Sequence, residues 1–176
     1  QWKRMDKVAE TIQQTIAVLE EMDDKTSAGI CYANLAGIYL QLASEGQTEK
    51  VDEAEINFKK ALEVVGDSDK RRNSYLLGSL GNIYFNKNQF DLAWKNYEES
   101  LKAMQELGDG LGEARGFANL GNVRVMQKDW DGASEQYFKS LELMEKQENR
   151  PGIAQQCESL GDIFAKKEEF DQAEDY

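Results

Sequence analysis

Apolar side chains recur along this chain at spacings of three and four, with polar residues filling the positions between them. Leu77, Leu80 and Ile83 form one such stripe, and Phe90, Ala93, Tyr97, Leu101 and Met104 form the next. A stripe of this period predicts an amphipathic α-helix with one buried face. Phe117, Leu120 and Val123, then Trp130, Ala133, Tyr137, Leu141 and Met144, reproduce that pair nearly position for position. Upstream, Met5, Val8, Ile12, Ile16 and Leu19 predict a lone helix from about Trp2 to Met22, and Tyr32, Leu35 and Ile38 mark another. Downstream, Cys157, Leu160 and Ile163 precede Phe170 and Ala173. No stretch shows the alternation of a strand.

The stripes are copies of one another. Leu80-Gly81-Asn82-Ile83-Tyr84, Leu120-Gly121-Asn122-Val123 and Leu160-Gly161-Asp162-Ile163-Phe164 recur every 40 residues, and Leu35-Ala36-Gly37-Ile38-Tyr39 lies 45 residues before the first of them. A second signature follows each: Ala54, Phe58 and Leu62; Ala93, Tyr97 and Leu101; Ala133, Tyr137 and Leu141. A fixed period of this length is the mark of stacked helical repeats. Where small residues face each other two helices approach closely, and we expect Gly121 to face Ala133. The expected division is a lone second helix at 1–24 and repeats at 25–66, 67–108, 109–148 and 149–176, the last cut short.

Turn chemistry separates the helices. Asp23-Asp24-Lys25-Thr26-Ser27, Gly66-Asp67-Ser68-Asp69 and Gly108-Asp109-Gly110 pair a stop with an acidic or hydroxyl start, and Pro151 suits a helix beginning because its missing N–H is not needed there. The stretch from Ala43 to Lys50 is longer than its counterparts and reads as a tolerated surface loop.

Leu-Gly, Tyr, Ala and aromatic positions in this order resemble the tetratricopeptide repeat (TPR), in the 40-residue form of the Leu-Gly-Asn-rich (LGN/Pins) class. The likeness runs over nearly the whole chain. It lacks the terminal proline of the common form, and Arg124 stands where the family usually has an aromatic. The resemblance implies an all-α fold, a right-handed TPR superhelix of stacked antiparallel helix pairs, used to bind other proteins.

Charge and composition narrow the partners. With 33 acidic against 21 basic residues the formal net charge is -12, which disfavours nucleic-acid phosphates and anionic membranes. Most of that charge is the expected solvated face of helices. The chain has no histidine, the commonest general base and zinc ligand. Its cysteines, Cys31 and Cys157, fall in units three repeats apart, so neither a disulfide nor a structural zinc site is expected. Paired acids such as Glu98-Glu99 and Glu168-Glu169 read as chance neighbours on exposed faces, and Gly108, Gly110 and Gly112 as turn residues rather than a phosphate loop. We therefore expect no enzyme activity, no catalytic residue, no metal and no cofactor. Without an apolar run of membrane-spanning length or a signal pattern at Gln1-Trp2-Lys3-Arg4, a cytoplasmic location is the expectation. The lack of an initiator Met and a helix still running at Tyr176 suggest a piece of a longer chain, whose open repeat ends could self-associate.

What remains is a surface. Residues of each first helix turned away from the Leu-Gly stripe should line an inner wall: Asn34 and Gln41; Tyr75, Asn82 and Asn86; Arg115, Asn119, Asn122 and Met126; Gln155, Glu158, Asp162 and Lys166. Carboxamides donate and accept, so they can pair with a peptide backbone, and Arg115 can hold a carboxylate. The family resemblance places the Asn of the signature and a preceding Arg in a peptide groove, which here means Asn82, Asn122 and Arg115. Tyr75, Asn82, Asn86, Arg115, Asn119, Asn122, Met126, Gln155 and Asp162 are the expected contacts for a peptide or helix of a partner protein. Two readings stay open beside it: amides that only solvate the wall or bridge adjacent helices, and a structural or regulatory arm that stacks on other repeats or domains.

Overall fold

The computed structural model describes residues 2–66 and 69–167, and all regular structure among them is α-helical. The helices are α1 (Trp2–Glu21), α2 (Lys25–Ser44), α3 (Lys50–Val65), α4 (Lys70–Asn86), α5 (Phe90–Leu107), α6 (Gly110–Met126), α7 (Trp130–Lys146) and α8 (Arg150–Lys166). The stripe positions Phe170 and Ala173, the acids Glu168 and Glu169, Asp67 and Ser68 of one turn, and the side chain of Trp2 lie outside the described residues.

Local chemistry sets the helix ends. Asp24, Asp109, Asp129 and Asn149 each accept from the backbone N–H three residues on, satisfying a donor that the first turn cannot. Gly108 closes α5 in the left-handed conformation at φ 65. Lys128 and Glu148 occupy the same region at φ 60 and 52, where a side chain costs about 1–2 kcal/mol.

Contacts divide the chain into two compact units, residues 1–83 and 84–176. In the first, α2 packs on both α1 and α3. Leu42, Ala54, Phe58 and Ala61 are fully enclosed. Gly29 matters here because a Cβ would lie 2.8 Å from Cγ1 of Val64, so the bare backbone lets α3 approach. Two phenols tie α2 to α1: Tyr32 donates to Oε1 of Glu20 at 2.5 Å, and the Tyr39 hydroxyl accepts from Nε2 of Gln13 at 2.7 Å. Burial, reinforced by the Glu20 carboxylate, pushes the Tyr32 phenol up to about 12.

Two expectations change in this unit. The buried line of α1 runs through Ala9 and Ile16, while Val8 is exposed and borders an open cleft of ≈ 670 Å³ with Arg4, Met5, Ile38 and Gln41. The longer connection after α2 is only partly loop, because α2 continues through Ala43 to Ser44 and has 20 residues against 17 in α6. Half of the insertion thus extends a helix whose Leu42 is already buried.

In the second unit α6 packs between α5 and α7, and α8 packs on α7. Ala133, Tyr137, Leu141, Leu160, Ile163 and Phe164 form one core cluster, with Trp130, Ile153 and Cys157 against it. Enclosing a Leu or aromatic of this kind contributes about 1.5–3 kcal/mol. Glycines of the first helices seat side chains from the preceding second helix: a Cβ on Gly112 would meet Sδ of Met104 at 2.7 Å, and one on Gly152 would meet Sδ of Met144 at 2.5 Å. Ser140 is fully buried and donates to the Ala114 carbonyl at 2.8 Å, so the α6–α7 seam holds a satisfied polar contact. Gly121 faces Tyr137 rather than Ala133, since a Cβ there would lie 2.7 Å from the phenol ring. The glycine makes room for an aromatic, not for an alanine.

Candidate peptide-binding face

The α6 helix sorts its residues by side. Gly112, Ala114, Leu120, Gly121 and Val123 are buried. Arg115, Asn119, Asn122 and Met126 follow one another at steps of four, three and four, which places them on a single stripe. Arg115 and Asn122 are exposed, Asn119 is half-buried, and Met126 is 48% exposed. An exposed methionine among polar groups is a soft apolar contact point.

Asn122 has an internal partner. The Tyr137 hydroxyl of α7 donates to its Oδ1 at 2.6 Å. The ring lies against the α6 backbone at Gly121, so the hydroxyl reaches the next residue along. Burial is the main cause that raises the Tyr137 phenol above its ordinary value. A hydrogen bond with the Ser159 side chain works the other way, and the Asp162 carboxylate adds to the rise. Ser159 itself donates to the Gln155 carbonyl at 3.0 Å. One buried phenol therefore touches Asn122 on α6 and stands beside Ser159 and Asp162 on α8.

On α8, Gln155 and Asp162 are exposed. They share a stripe with Ser159 and Lys166 at the same steps of four, three and four as on α6. Glu158 is exposed but falls one position off that stripe, and Ser159 takes its place. The 40-residue register held the signal, because Ser159 stands one period after Asn119.

The other expected residues lie on α4. In the first unit, Tyr75 is 59% exposed and meets the Phe58 ring edge-on at 6.5 Å, and Asn82 is exposed. Asn86, exposed, closes the same helix in the second unit. On α2, Asn34 and Gln41 are exposed. Gln41 borders the cleft beside α1, and its amide points to Oε1 of Glu45 at 3.4 Å.

Arg124 has a clear local role. Its guanidinium stacks over the Trp94 ring at 4.3 Å and pairs with the Asp129 carboxylate at 3.1 Å. Tyr84 and Phe164, at the matching positions of the neighbouring repeats, are buried, whereas the Arg124 side chain stays partly exposed on the Trp94 ring. Trp130 is covered in a related way by Lys166 at 5.3 Å.

Among the described residues no group of three or more His, Cys, Asp or Glu could hold a metal ion, and Cys31 and Cys157 are free and half-buried. No helix among them is long and apolar enough to cross a membrane.

Comparison with known proteins agrees with this architecture. The sequence model of the tetratricopeptide repeat family matches residues 71–146. Searching the curated proteins by sequence returned no match. Among solved structures, the apo form of RapI superposes with a TM-score of 0.85 at 14% identity, covering 97% of this chain and 61% of RapI. BtubC from P. vanneervenii gives 0.68 at 21% identity, over 97% of this chain and 77% of that one. A STAND signal-transduction ATPase from Pyrococcus horikoshii, described as having a tetratricopeptide repeat sensor, gives 0.73 at 16% identity over 99% of this chain and 28% of its own. At such identities the likeness is one of fold. Residues 71–146 thus match the tetratricopeptide repeat, and the fold of the chain is of the all-α TPR superhelix class.

Proposed function

We propose that this chain is a non-catalytic protein-interaction module of the Leu-Gly-Asn type that holds an extended peptide of a partner protein along its first helices. One observation carries the reading: Arg115, Asn119, Asn122 and Met126 share an accessible stripe of α6, opposite the stripe that α6 buries. A guanidinium, two carboxamides and a thioether supply a charge anchor, backbone pairing and an apolar contact. Tyr75 and Asn82 on α4 offer the same kinds of contact in the first unit. The net charge of -12 favours partners with basic or neutral surfaces over nucleic acid. Cytoplasmic action belongs to the same proposal and is checked by cell fractionation.

The test is affinity capture from a lysate with the chain and with an Arg115→Glu, Asn122→Ala variant of equal helicity, compared by mass spectrometry. Partners held by the first and lost by the second support the groove; equal capture moves binding elsewhere on the surface.

A second reading, self-association or stacking on other repeats, is favoured by exposed apolar side chains at the end of α1, Val18 at 54%, and in the turn after it, Met22 at 70%. Sedimentation equilibrium tests it: a concentration-dependent mass that falls on Val18→Glu, Met22→Glu substitution supports it, and a constant monomer mass removes it.

A further inference from the structure

The hydrogen bond from Tyr137 to Asn122 limits what the face can recognise. A free carboxamide is ambivalent, with an oxygen that accepts and a nitrogen that donates. Here one lone pair of the oxygen accepts from the phenol at 2.6 Å, which fixes the way the amide turns. The raised affinity of that phenol for its proton keeps it a donor at neutral pH. With its oxygen held toward the phenol, the Asn122 carboxamide presents its Nδ2, a donor, on the side away from α7.

Across the same phenol the sense reverses. Leu160 and Ile163, on either side of Asp162 in α8, pack in one core cluster with Tyr137, and the Asp162 carboxylate adds to the rise of the phenol's pKa; a carboxylate only accepts. A donor on α6 and an acceptor on α8 thus flank one buried hydroxyl. A ligand spanning both must offer an acceptor to Asn122 and a donor to Asp162, and a peptide main chain carries both groups on every residue.

The protein's other repeats speak to whether the phenol and amide act as a unit. Gly81-Asn82 is followed 16 positions after its glycine by Tyr97, as Gly121-Asn122 is by Tyr137. In the repeat with Ala36-Gly37, the corresponding aromatic is Phe58, which has no hydroxyl. In these three repeats amide and hydroxyl are present together or absent together.

Resting on the peptide-groove reading above, we propose that Tyr137 is a positioning residue that locks the Asn122 carboxamide with its Nδ2 outward, so that the α6–α8 face selects an extended peptide main chain with its carbonyl toward α6 and its N–H toward Asp162. Seven residues separate Arg115 from Asn122, about 10 Å along a helix, which is about three residues of extended peptide. An acidic side chain three residues from the held carbonyl would meet the guanidinium.

The experiment selects 12-residue peptides from a random phage-displayed library against the intact chain and measures their affinities as synthetic peptides, well below the melting temperature. Selected peptides should bind at least tenfold more weakly to Arg115→Glu. Tyr137→Phe should weaken them about fivefold, the scale of one hydrogen bond, and Asn122→Ala added to it should cost no more. N-methylation of one peptide nitrogen should cost a similar factor, and the cost should vanish in Asp162→Ala. Unchanged affinity in Tyr137→Phe, or a full additional loss from Asn122→Ala, overturns the positioning role while the loss in Arg115→Glu leaves the groove standing. Selected peptides indifferent to Arg115→Glu, or a library that yields none, overturn the groove and this inference with it.

Discussion

The repeat at 25–66 and the repeat at 109–148 answer the same packing problem differently. In the later one, Gly121 lets the Tyr137 ring lie on the α6 backbone, and the phenol finds an acceptor in Asn122. In the earlier one, Ala36 replaces the glycine, Gly37 replaces the asparagine, and Phe58 replaces the tyrosine. Phe58 and Ala36 are fully buried, and the space beyond Gly37 is open, with nothing within 4 Å of a Cβ built there. The three positions change as a set. A buried hydroxyl without an acceptor costs about 1–3 kcal/mol, so the tyrosine requires the amide and the phenylalanine does not.

This contrast can be broken most severely at its tightest point. Gly121→Leu forces side-chain atoms into the Tyr137 ring, and overpacking of this kind should cost about 3 kcal/mol, well beyond the helix propensity gained. The melting temperature should fall by about 10 °C; an unchanged or higher value would remove the ring contact from the account. Next in size, Phe58→Tyr places a hydroxyl in the enclosed site without its amide and should destabilise by about 2 kcal/mol. Adding Gly37→Asn should recover part of that loss, and denaturant unfolding of both single variants and the double variant measures the coupling. Additive effects would show that the two positions are not a unit.

Smaller effects sharpen the same comparison. Tyr137→Phe should cost about 1 kcal/mol of stability, the net value of one hydrogen bond. Gly37→Ala should act with the opposite sign and stabilise by slightly under about 1 kcal/mol, because the helix gains propensity and meets no neighbour. At neutral pH the buried phenols have no pH effect at all. Tyr32 and Tyr97 are pushed to about 12, chiefly by burial, so the fold favours their neutral forms. That contribution is complete below the unfolded value of about 10 and is lost as pH rises through 12. Thermal unfolding between pH 9 and pH 12 should show a plateau and then a decline, with the decline reduced in Tyr97→Phe.

Much of the fold was legible in the chain. The stripe of Leu77, Leu80 and Ile83 and that of Phe90, Ala93, Tyr97, Leu101 and Met104 fall on the helices Lys70–Asn86 and Phe90–Leu107. Val8 was assigned to the buried stripe of α1 because spacing alone cannot separate it from Ala9, and the side that α2 covers decided between them. The candidate face was legible as a list of positions but not as a set of contacts. Arg115, Asn119, Asn122 and Met126 share a stripe by helical period alone, whereas Ser159 entered only when α8 was seen beside Tyr137.

Periodicity and capping are local properties, set by residues a few positions apart, and for that reason the amino-acid order sufficed to define the helices and their repeat. Which ring fills the space at Gly121, which way the Asn122 carboxamide turns, and what an arginine does at position 124 depend on side chains brought together from different helices. Tyr137 lies 15 positions from Asn122, and Arg124 meets Trp94 from 30 positions away. Contacts of that kind follow from packing distance and the need to satisfy buried polar groups, and only the tertiary structure supplies them.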